Sequence, residues 1–554
     1  MKEKNAKKKV STSIKFTVLA VMLIAVVCIA LTPVTFQNDT YYTIKIGEHI
    51  ASNGIDGQDP FSWHQDLAYT YPHWLYDLLT YLIYNFFGFT GIYVTTCILS
   101  VILGLSLYFI SKKLTKNQIF SFLITIGAMY LLRSYIAARA QLVTFILFVL
   151  TIFFIEQFIE TKKKKYAIGL IIIPILIANL HVAVFPFYFV LYLPYIAEYL
   201  ITVCADIIIY RKIKSFLLEN KIKRLTKKGG QEEKIEELKK EYELLENEND
   251  KVKVKRTKEL QNPYKIKLEK KSNVKWLILI MIICLLTGLL TPLGTTPYTY
   301  LSKTMQGNTT QNINEHLPMT LVSDTGILCT LIFILAILIF TKTKIRLCDL
   351  FMLGGLCYLM LKTKRQATMF VLMGSFILNR WMVQLINNYT KVKEDEMLEK
   401  MLNLAGVIII TIVTLALSYY FAKDKFDDKY VDESTYPVQA SDFILENIDL
   451  ETARFYNEYN YGSYLLYRGI PVFIDSRADL YAPEFSEKEE DIFSDFIDTS
   501  SIGKFYGDIF KKYDMTHVIT YKNSKVNMII TKTEPEKYKE LYKDERFVIY
   551  EIVK

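Results

Sequence analysis

Long apolar runs alternate with short polar segments along the first three quarters of the chain. Residues 16–31, 140–158, 276–290 and 404–421 are typical of these runs. Each is close to the length that crosses about 30 Å of hydrocarbon at about 1.5 Å of helix rise per residue. The pattern predicts eleven spanning helices, near residues 14–36, 90–110, 118–134, 140–159, 166–183, 186–209, 275–293, 325–341, 348–363, 367–387 and 404–421.

Positive charge predicts the orientation, because loops rich in Lys and Arg stay on the cytoplasmic side. With eleven spans, the basic segments share that side: the N-terminal tail, Lys112 and Lys113, and residues 162–165, 211–274 and 342–346. The apolar piece 74–87 is then left out of the count. It is short and carries Asp77, so we predict an amphipathic helix in the outer interface. The protein is expected in the cell membrane, with a cytoplasmic N-terminus.

The predicted fold class is a polytopic α-helical membrane protein with a small extracytoplasmic α/β domain at the C-terminus. The transmembrane domain covers residues 1–421, including an outer loop with the interfacial helix at 37–89. The C-terminal domain covers residues 422–554, where helix-like pieces alternate with short strand-like runs such as 471–474. No glycine-rich phosphate loop is present in that domain.

A basic insert at residues 211–274 contains a charged stretch with apolar residues at spacings of three and four. Two heptads make a weak coiled coil. One interpretation is therefore a solvated helical hairpin that touches anionic lipid headgroups. The other is a coiled coil that binds a partner protein.

The composition fits this membrane architecture. The chain is 51% hydrophobic, and its mean hydropathy is +0.20. Its net charge of +9 does not indicate nucleic acid as a partner, because the basic residues lie mostly in short loops and in the insert.

The outer loop after the first predicted span concentrates acidic and histidine residues. Asp39, Asp59 and His73 belong to this set. A carboxylate fixed just past a helix end, at the border of low dielectric, can act as a general base or bind a divalent cation. The alternative is an ordinary solvated loop, in which such residues are common.

Several cations lie on the predicted outer side, against the positive-inside trend. They are Arg133, Arg139, Lys364 and Arg365, together with Lys362. Charges at that depth are costly unless they are paired or hydrated, so a lipid phosphate is one expected partner. The alternative is pairing with the carboxylates of the outer loop.

Polar residues at the outer ends of the later spans suggest one outward-facing cavity. His181, Glu315 and His316 are the candidates to line it, although a single histidine is more often buried and hydrogen-bonded. In the C-terminal domain, Tyr461, Asp475 and Arg477 lie in a tyrosine-rich and amide-rich stretch. Such a stretch suits sugar or peptide recognition, or else a core turn with salt-bridged edges.

These residues resemble a known pattern. Asp39-Thr40-Tyr41-Tyr42, then Asp59-Pro60-Phe61-Ser62, then His73-Trp74-Leu75 is similar to D-x-D-L-W-W-H, D-x-F-S and E-W-L in bacterial multi-pass proteins of the GT-C glycosyltransferase superfamily. That superfamily includes protein O-mannosyltransferases and aminoarabinose transferases. The likeness continues through Arg133, Arg139, Asn179-Leu180-His181, Glu315-His316 and Ile474-Asp475-Ser476-Arg477-Ala478-Asp479.

The resemblance implies an inverting transfer of a sugar from a polyprenyl-phosphate donor to a glycan, lipid or protein acceptor outside the membrane. Asp39 matches the acidic residue that acts as base or metal ligand, and Asp59 and Asp77 are candidates for the second carboxylate. The outer arginines would bind the lipid phosphate. The first acid of the D-x-D pattern is Gln37 here, so a single base fits better than a bidentate metal site. The cofactor that the resemblance allows is a divalent cation at Asp39.

Two other functions are compatible with the pattern. A non-catalytic scaffold or sensor would bind an envelope partner through its outer domain. A transporter fits less well, because the mid-membrane segments hold few charges and show no obvious inverted repeat.

Overall fold

The computed structural model describes residues 2–207, 209–228, 234–240, 265–269, 271–322, 324–390 and 394–553. The helices before the C-terminal region are Lys2–Leu31, Asn38–Asn53, Trp74–Thr115, Gln118–Leu132, Ala140–Thr161, Lys164–Leu180, Phe185–Val190, Leu193–Ile207, Ile209–Lys228, Val274–Thr287, Thr296–Gln306, Thr309–Asn312, Thr325–Phe340, Leu347–Lys362, Ala367–Tyr389, Glu394–Met401 and Leu404–Ala422. In the insert, residues 234–240 are also helical. The rest of the predicted coiled-coil stretch lies outside the described residues.

Among the described residues, six helices are long and apolar enough to cross a membrane. They are Thr12–Leu31, Trp74–Thr115, Ala140–Thr161, Val182–Val203, Lys364–Tyr389 and Leu404–Lys425. Two shorter apolar helices, Val274–Thr287 and Thr325–Phe340, accompany them. The last long helix is only 11% buried inside the protein, so its apolar side chains need lipid around them. The chain is a helical membrane protein.

The predicted spans coincide with helices, but not all of these helices have full spanning length. Six predicted spans fall on the six long helices. The other five fall on helices of 14 to 17 residues. A span needs about 20 residues, so the eleven crossings stay a prediction.

The helix Trp74–Thr115 is kinked at Gly88, where φ is 61° and ψ is −157°. The kink separates the piece 74–87, which we predict to lie in the interface, from the apolar helix that follows. A side chain at Gly88 would be strained by this backbone conformation. Phe86 and Phe87, just before the kink, are 74% and 71% exposed.

Two buried acids and two half-buried arginines form a charged cluster at the bundle end remote from the C-terminal region. Arg346 bonds Glu156 at 2.6 Å and Asp349 at 2.7 Å, and Arg380 bonds Asp349 at 2.6 Å. Two arginines and two acids cancel in charge, as buried ions require. The cluster ties together three helices whose opposite ends lie near the cavity described below.

The C-terminal region combines short helices with one four-stranded sheet. Its helices are Val438–Asn447, Tyr459–Tyr467, Pro483–Ser486, Ile492–Ser501, Tyr506–Lys512 and Lys525–Thr533. The strands are β3 (Phe455–Tyr456), β4 (His517–Tyr521), β5 (Tyr538–Lys543) and β6 (Phe547–Ile552), in the order β3-β4-β6-β5. Only the β3–β4 pair is parallel within this sheet. In the transmembrane part, β1 (Ile266–Lys267) pairs in parallel with β2 (Ile345–Arg346).

The segment after the first span shares one hydrophobic core with the C-terminal region. Tyr41 packs edge-on against Tyr436 and Tyr464, with ring centroids 4.9 and 5.1 Å apart. The indole of Trp63 donates to the carbonyl of Phe455 at 3.0 Å. Neither part buries these aromatic rings alone, so each completes the other.

Two local expectations are corrected. The predicted outer loop contains the 16-residue helix Asn38–Asn53, because its apolar positions recur at helical spacing and are buried. The strand-like run 471–474 forms no strand, apart from one bridge at Val472. The side chain of Asn457 takes the place of a neighbouring strand, accepting from Phe473 N and donating to Ile474 O.

Candidate functional site

A cavity of about 1000 Å³ lies between one end of the helix bundle and the C-terminal region. Its charged residues come from places where helices begin or end. Asp39 lies in the first turn of Asn38–Asn53, and Arg139 directly precedes Ala140–Thr161. Glu315 follows the short helix Thr309–Asn312, and Arg365 lies in the turn Lys364–Gln366 between two bundle helices.

Asp39 is held at the cavity wall by two features. Its carboxylate lies at a helix N-terminus, where the helix dipole favours negative charge. It also forms an ion pair with the guanidinium of Arg139. The Asp39 side chain remains 16% exposed, so the carboxylate is oriented but still reaches the cavity.

Arg139 bridges two carboxylates. Besides Asp39, its Nη1 donates to Glu315 Oε1 at 3.1 Å. Burial alone would raise the pKa of Glu315, but the charges of Arg139 and Arg365 outweigh it and hold that pKa below its usual range. Glu315 is therefore an anion at neutral pH, and Arg139 is fully compensated.

Arg365 is the more available cation. Its backbone N donates to the carbonyl of Glu315 at 3.0 Å, which fixes the turn. Within the described part of the chain, its guanidinium makes no hydrogen bond or ion pair. A guanidinium without a carboxylate partner, facing a half-buried cavity, favours an incoming anion.

Three histidines line the same cavity. The rings of His73 and His181 meet edge to face, 4.9 Å apart, and His181 Nδ1 shares a hydrogen bond with Thr144. His181 is thus a buried, hydrogen-bonded histidine whose ring also forms part of the wall. Burial lowers the pKa of His73 to about 3. Burial, reinforced by Arg365, lowers the pKa of His316 to about 4.

The opposite wall comes from the C-terminal region and from the helix Thr296–Gln306. Asp479 accepts hydrogen bonds from Tyr300 at 2.7 Å and from Thr304 at 3.4 Å. Burial raises the pKa of Asp479 against the effect of these hydrogen bonds. Tyr459, Phe493 and other aromatic side chains complete this wall.

Part of this wall was not predicted from sequence. Tyr300 and Thr304 lie in a polar, threonine-rich stretch between two apolar runs, which was the available signal. Asp479 belongs to the stretch that resembles the GT-C pattern, but its pairing with Tyr300 was not predicted.

Comparison with known proteins shows no family for this chain: no protein-family model matches it, and no curated protein matches it.

The cavity joins a carboxylate, an available guanidinium and hydroxyl and aromatic groups at the end of an apolar bundle. That combination suits a ligand with an anionic head, an apolar tail and hydroxyl groups.

The structure brings together nine of the residues predicted from sequence. All nine line the cavity: Asp39, His73, Arg139, His181, Glu315, His316, Lys362, Arg365 and Arg477. They come from segments more than 400 residues apart in the chain. The other predicted residues do not line it: Asp59, Asp77, Arg133, Lys364, Tyr461 and Asp475.

Asp59 and Asp475 lie behind the cavity wall and hold Arg477 in place. The guanidinium of Arg477 donates from Nη2 to Asp475 Oδ2 at 2.7 Å and from Nη1 to Asp59 Oδ1 at 2.6 Å. Burial would raise the pKa of Asp59, but the charge of Arg477, together with hydrogen bonds from Arg477 and Ser62, holds that pKa below its usual range. This arrangement matches the salt-bridged alternative for the C-terminal stretch.

The remaining predicted residues also lie away from the cavity. Tyr461 is fully buried and donates to the carbonyl of Ile519 at 2.8 Å. Asp77 is fully buried behind the helix Asn38–Asn53. Arg133 stacks on Tyr130, and Lys364 donates to Asn314 at 2.6 Å.

The predicted cation at Asp39 has few protein ligands near it. Among the described residues, no group of three or more His, Cys, Asp or Glu side chains is arranged to hold a metal ion. Arg139 already compensates both Asp39 and Glu315. A divalent cation at Asp39 stays a prediction.

Proposed function

We propose that this membrane protein is a GT-C-type glycosyltransferase that moves a sugar from a polyprenyl-phosphate donor to an envelope acceptor in the cavity. One observation carries this proposal: an oriented Asp39 carboxylate and the available Arg365 guanidinium line the same cavity at the end of an apolar bundle. The polar parts of both substrates then have partners, while the prenyl chain stays in lipid.

The donor phosphate is assigned to Arg365. A phosphate oxygen accepts charge-assisted hydrogen bonds from a guanidinium, and this partner costs no existing ion pair. As the bond between the sugar C1 and the phosphate oxygen breaks, its electron pair stays on the phosphate. Positive charge fixed at that point stabilises the departing group.

Asp39 is assigned the role of general base for the acceptor hydroxyl. Its carboxylate takes the proton of an acceptor hydroxyl while that oxygen bonds to C1 from the face opposite the phosphate. Arg139 orients Asp39 through their ion pair, and this ion pair has to weaken as the carboxylate takes up the proton. The hydroxyl-rich wall around Asp479 and the rings of Tyr459 and Phe493 suit a sugar, whose hydroxyls and apolar faces they complement.

The proposal includes an orientation. Eleven crossings place the N-terminus and the insert 211–274 in the cytoplasm, and the cavity and the C-terminal region outside. The helices at all predicted spans and the kink at Gly88, which separates the piece 74–87 from the span after it, support this count.

A deletion strain tests the function. Mass spectrometry of its glycans and lipid-linked sugars is expected to show one glycan lost and one polyprenyl-linked sugar accumulated. The wild-type gene should reverse both changes, and Arg365→Gln should not. The exposed Arg546→Gln variant is the matched control, because Arg546 lies in a C-terminal turn away from the cavity. Unchanged glycans and lipid-linked sugars in the deletion strain would refute the proposal.

A further inference from the structure

The charged side chains around His316 are already in balance. Asp39 and Glu315 carry two negative charges, and Arg139 and Arg365 carry two positive charges. Burial keeps His316 neutral at pH 7. These four side chains therefore hold no spare positive charge of their own. Of the other cations that line the cavity, Arg477 is paired with Asp59 and Asp475, and Lys362 lies over the ring of Tyr358.

An anion bound beside Arg365 would leave this half-buried cluster with one net negative charge. Interactions between charges in such a site are screened less than in water, so the imbalance is costly. The cost falls if a neighbouring neutral base takes up a proton. A histidine is the side chain best suited to do so near neutral pH.

His316 is the histidine in the right place. It follows Glu315, whose carbonyl fixes the Arg365 turn, and its ring is partly exposed to the cavity. The groups that face it are Glu315, which favours the charged ring, and Arg365 and Arg139, which oppose it. An anion that neutralises the field of Arg365 removes the stronger of the two opposing charges.

The other two cavity histidines are less suitable. His181 is 2% exposed, and its Nδ1 is already hydrogen-bonded to Thr144. His73 packs against His181, and burial lowers its pKa to about 3. Protonating either ring would place two cations in contact or break an existing hydrogen bond.

We propose that the cavity takes up one proton at His316 when a phosphate-bearing anion binds beside Arg365. The proton comes from solvent, and the new imidazolium N–H donates to a phosphate oxygen, so no bond in the ligand breaks. This inference rests on the proposed phosphate site. It adds that the affinity for substrate rises as the pH falls, through His316, which takes no part in the transfer of the sugar.

The pH dependence has a definite sign. His316 in the free protein has a pKa of about 4, and the bound anion raises it. Between these two values, affinity rises by about tenfold for each unit that the pH falls, because one proton is taken up per ligand. Below the lower value the ring is already charged and the dependence disappears.

Calorimetry on the full-length protein in nanodiscs measures this uptake. The probe is farnesyl methyl phosphate, a phosphodiester that carries no titrating group of its own near neutral pH. Titrations at pH 5, 6 and 7, each in two buffers of different ionisation enthalpy, give the number of protons bound per ligand. We expect this number to approach one at pH 5 and to fall as the pH rises. Dimethyl phosphate, which lacks the lipid tail, shows whether a free phosphodiester suffices.

Two variants assign the proton. His316→Gln is expected to bind the probe with no proton uptake and with an affinity that no longer changes with pH. His517→Gln on β4, remote from the cavity, should behave like the wild type. Binding without proton uptake in the wild type, or uptake that survives in His316→Gln, would overturn this inference and leave the proposed function standing. If neither phosphodiester binds to the wild type, the inference and the proposed donor site are both overturned.

Discussion

At the scale of single residues, the cavity depends on ion pairs that lie one layer behind it. Arg477 lines the cavity but is fixed by Asp59 and Asp475, whose side chains are fully buried. Removing Asp59 would leave Arg477 with Asp475 as its one carboxylate partner and would free its Nη1, which now donates to Asp59. Asp59 therefore matters to the site through Arg477, although it does not reach the cavity.

Asp59→Asn should destabilise the protein by about 1.5–3 kcal/mol, the usual worth of a hydrogen bond to a charged group, because Asp475 still compensates the charge of Arg477. The measurement is the melting curve of the purified protein in detergent. The exposed Asp427→Asn variant is the control and should melt like the wild type. Equal melting temperatures for Asp59→Asn and wild type would show that the buried pair is not stabilising.

The same pair predicts a pH dependence. The pKa of Asp59 is lowered in the folded protein, so its contribution is present above the unfolded value near 4 and is lost as the pH falls through the folded value. The stability difference between wild type and Asp59→Asn should therefore shrink in acid. A difference that stays constant from pH 7 down to pH 3 would contradict the shift.

At the scale of helices and strands, one close contact positions the helix that carries Asp39. Gly47 lies in Asn38–Asn53 and faces the helix Trp74–Thr115. A Cβ added at Gly47 would lie 2.1 Å from the carbonyl oxygen of Asp77 and 2.6 Å from Tyr81 Cβ. Backbone atoms cannot yield at that distance, so only glycine lets the two helices approach this closely.

Gly47→Ala should force the two helices apart and lower the melting temperature, as overpacking costs about 1–3 kcal/mol or more. Gly127→Ala is the matched control. Gly127 lies in the helix Gln118–Leu132 with open space around its Cβ position, and alanine there should leave stability unchanged or raise it slightly. If the two variants melt alike, the close helix contact is not real.

The apolar pattern was sufficient to predict the helices of the bundle, because a spanning helix needs only length and hydropathy. It failed for Asn38–Asn53, because this helix is amphipathic and not apolar throughout: its apolar positions recur at helical spacing, and Tyr41 packs against the C-terminal region. For the site, Asp39, Arg139 and Arg365 were predicted from charges in unexpected places. The pairing of Tyr300 with Asp479 was not predicted, since it links residues 179 positions apart.

At the scale of the whole molecule, the boundary at residue 422 does not separate two independent cores. Tyr41 and Trp63 pack into the C-terminal region, and Arg477 reaches back to Asp59. The C-terminal region and the segment after the first span thus form one structural unit. That unit closes the cavity above the bundle.

A fragment of residues 430–553 alone is expected not to fold stably, because the rings of Tyr436 and Tyr464 lose the cover of Tyr41. The control is the same fragment joined through a flexible linker to residues 36–73. NMR amide spectra should be poorly dispersed for the first and well dispersed for the second. A well-dispersed spectrum of the isolated fragment would contradict the shared core.

Reporter fusions test the proposed orientation. Alkaline phosphatase folds only outside the cytoplasm, so a fusion after residue 553 should be active and a fusion within the insert at residue 230 should be inactive. Green fluorescent protein at the same two sites should give the opposite pattern. The reverse result at both sites would place the cavity on the cytoplasmic side.

Transfer by the purified protein tests the central claim most directly. Membranes of the deletion strain, labelled with radioactive sugar, supply both the accumulated donor and its acceptor. Wild-type protein should move label from the lipid fraction to the acceptor, and Asp39→Asn should do so about 100-fold more slowly or worse, as expected for loss of a general base. The Asp427→Asn control should match the wild type. Transfer by Asp39→Asn at the wild-type rate would contradict the account.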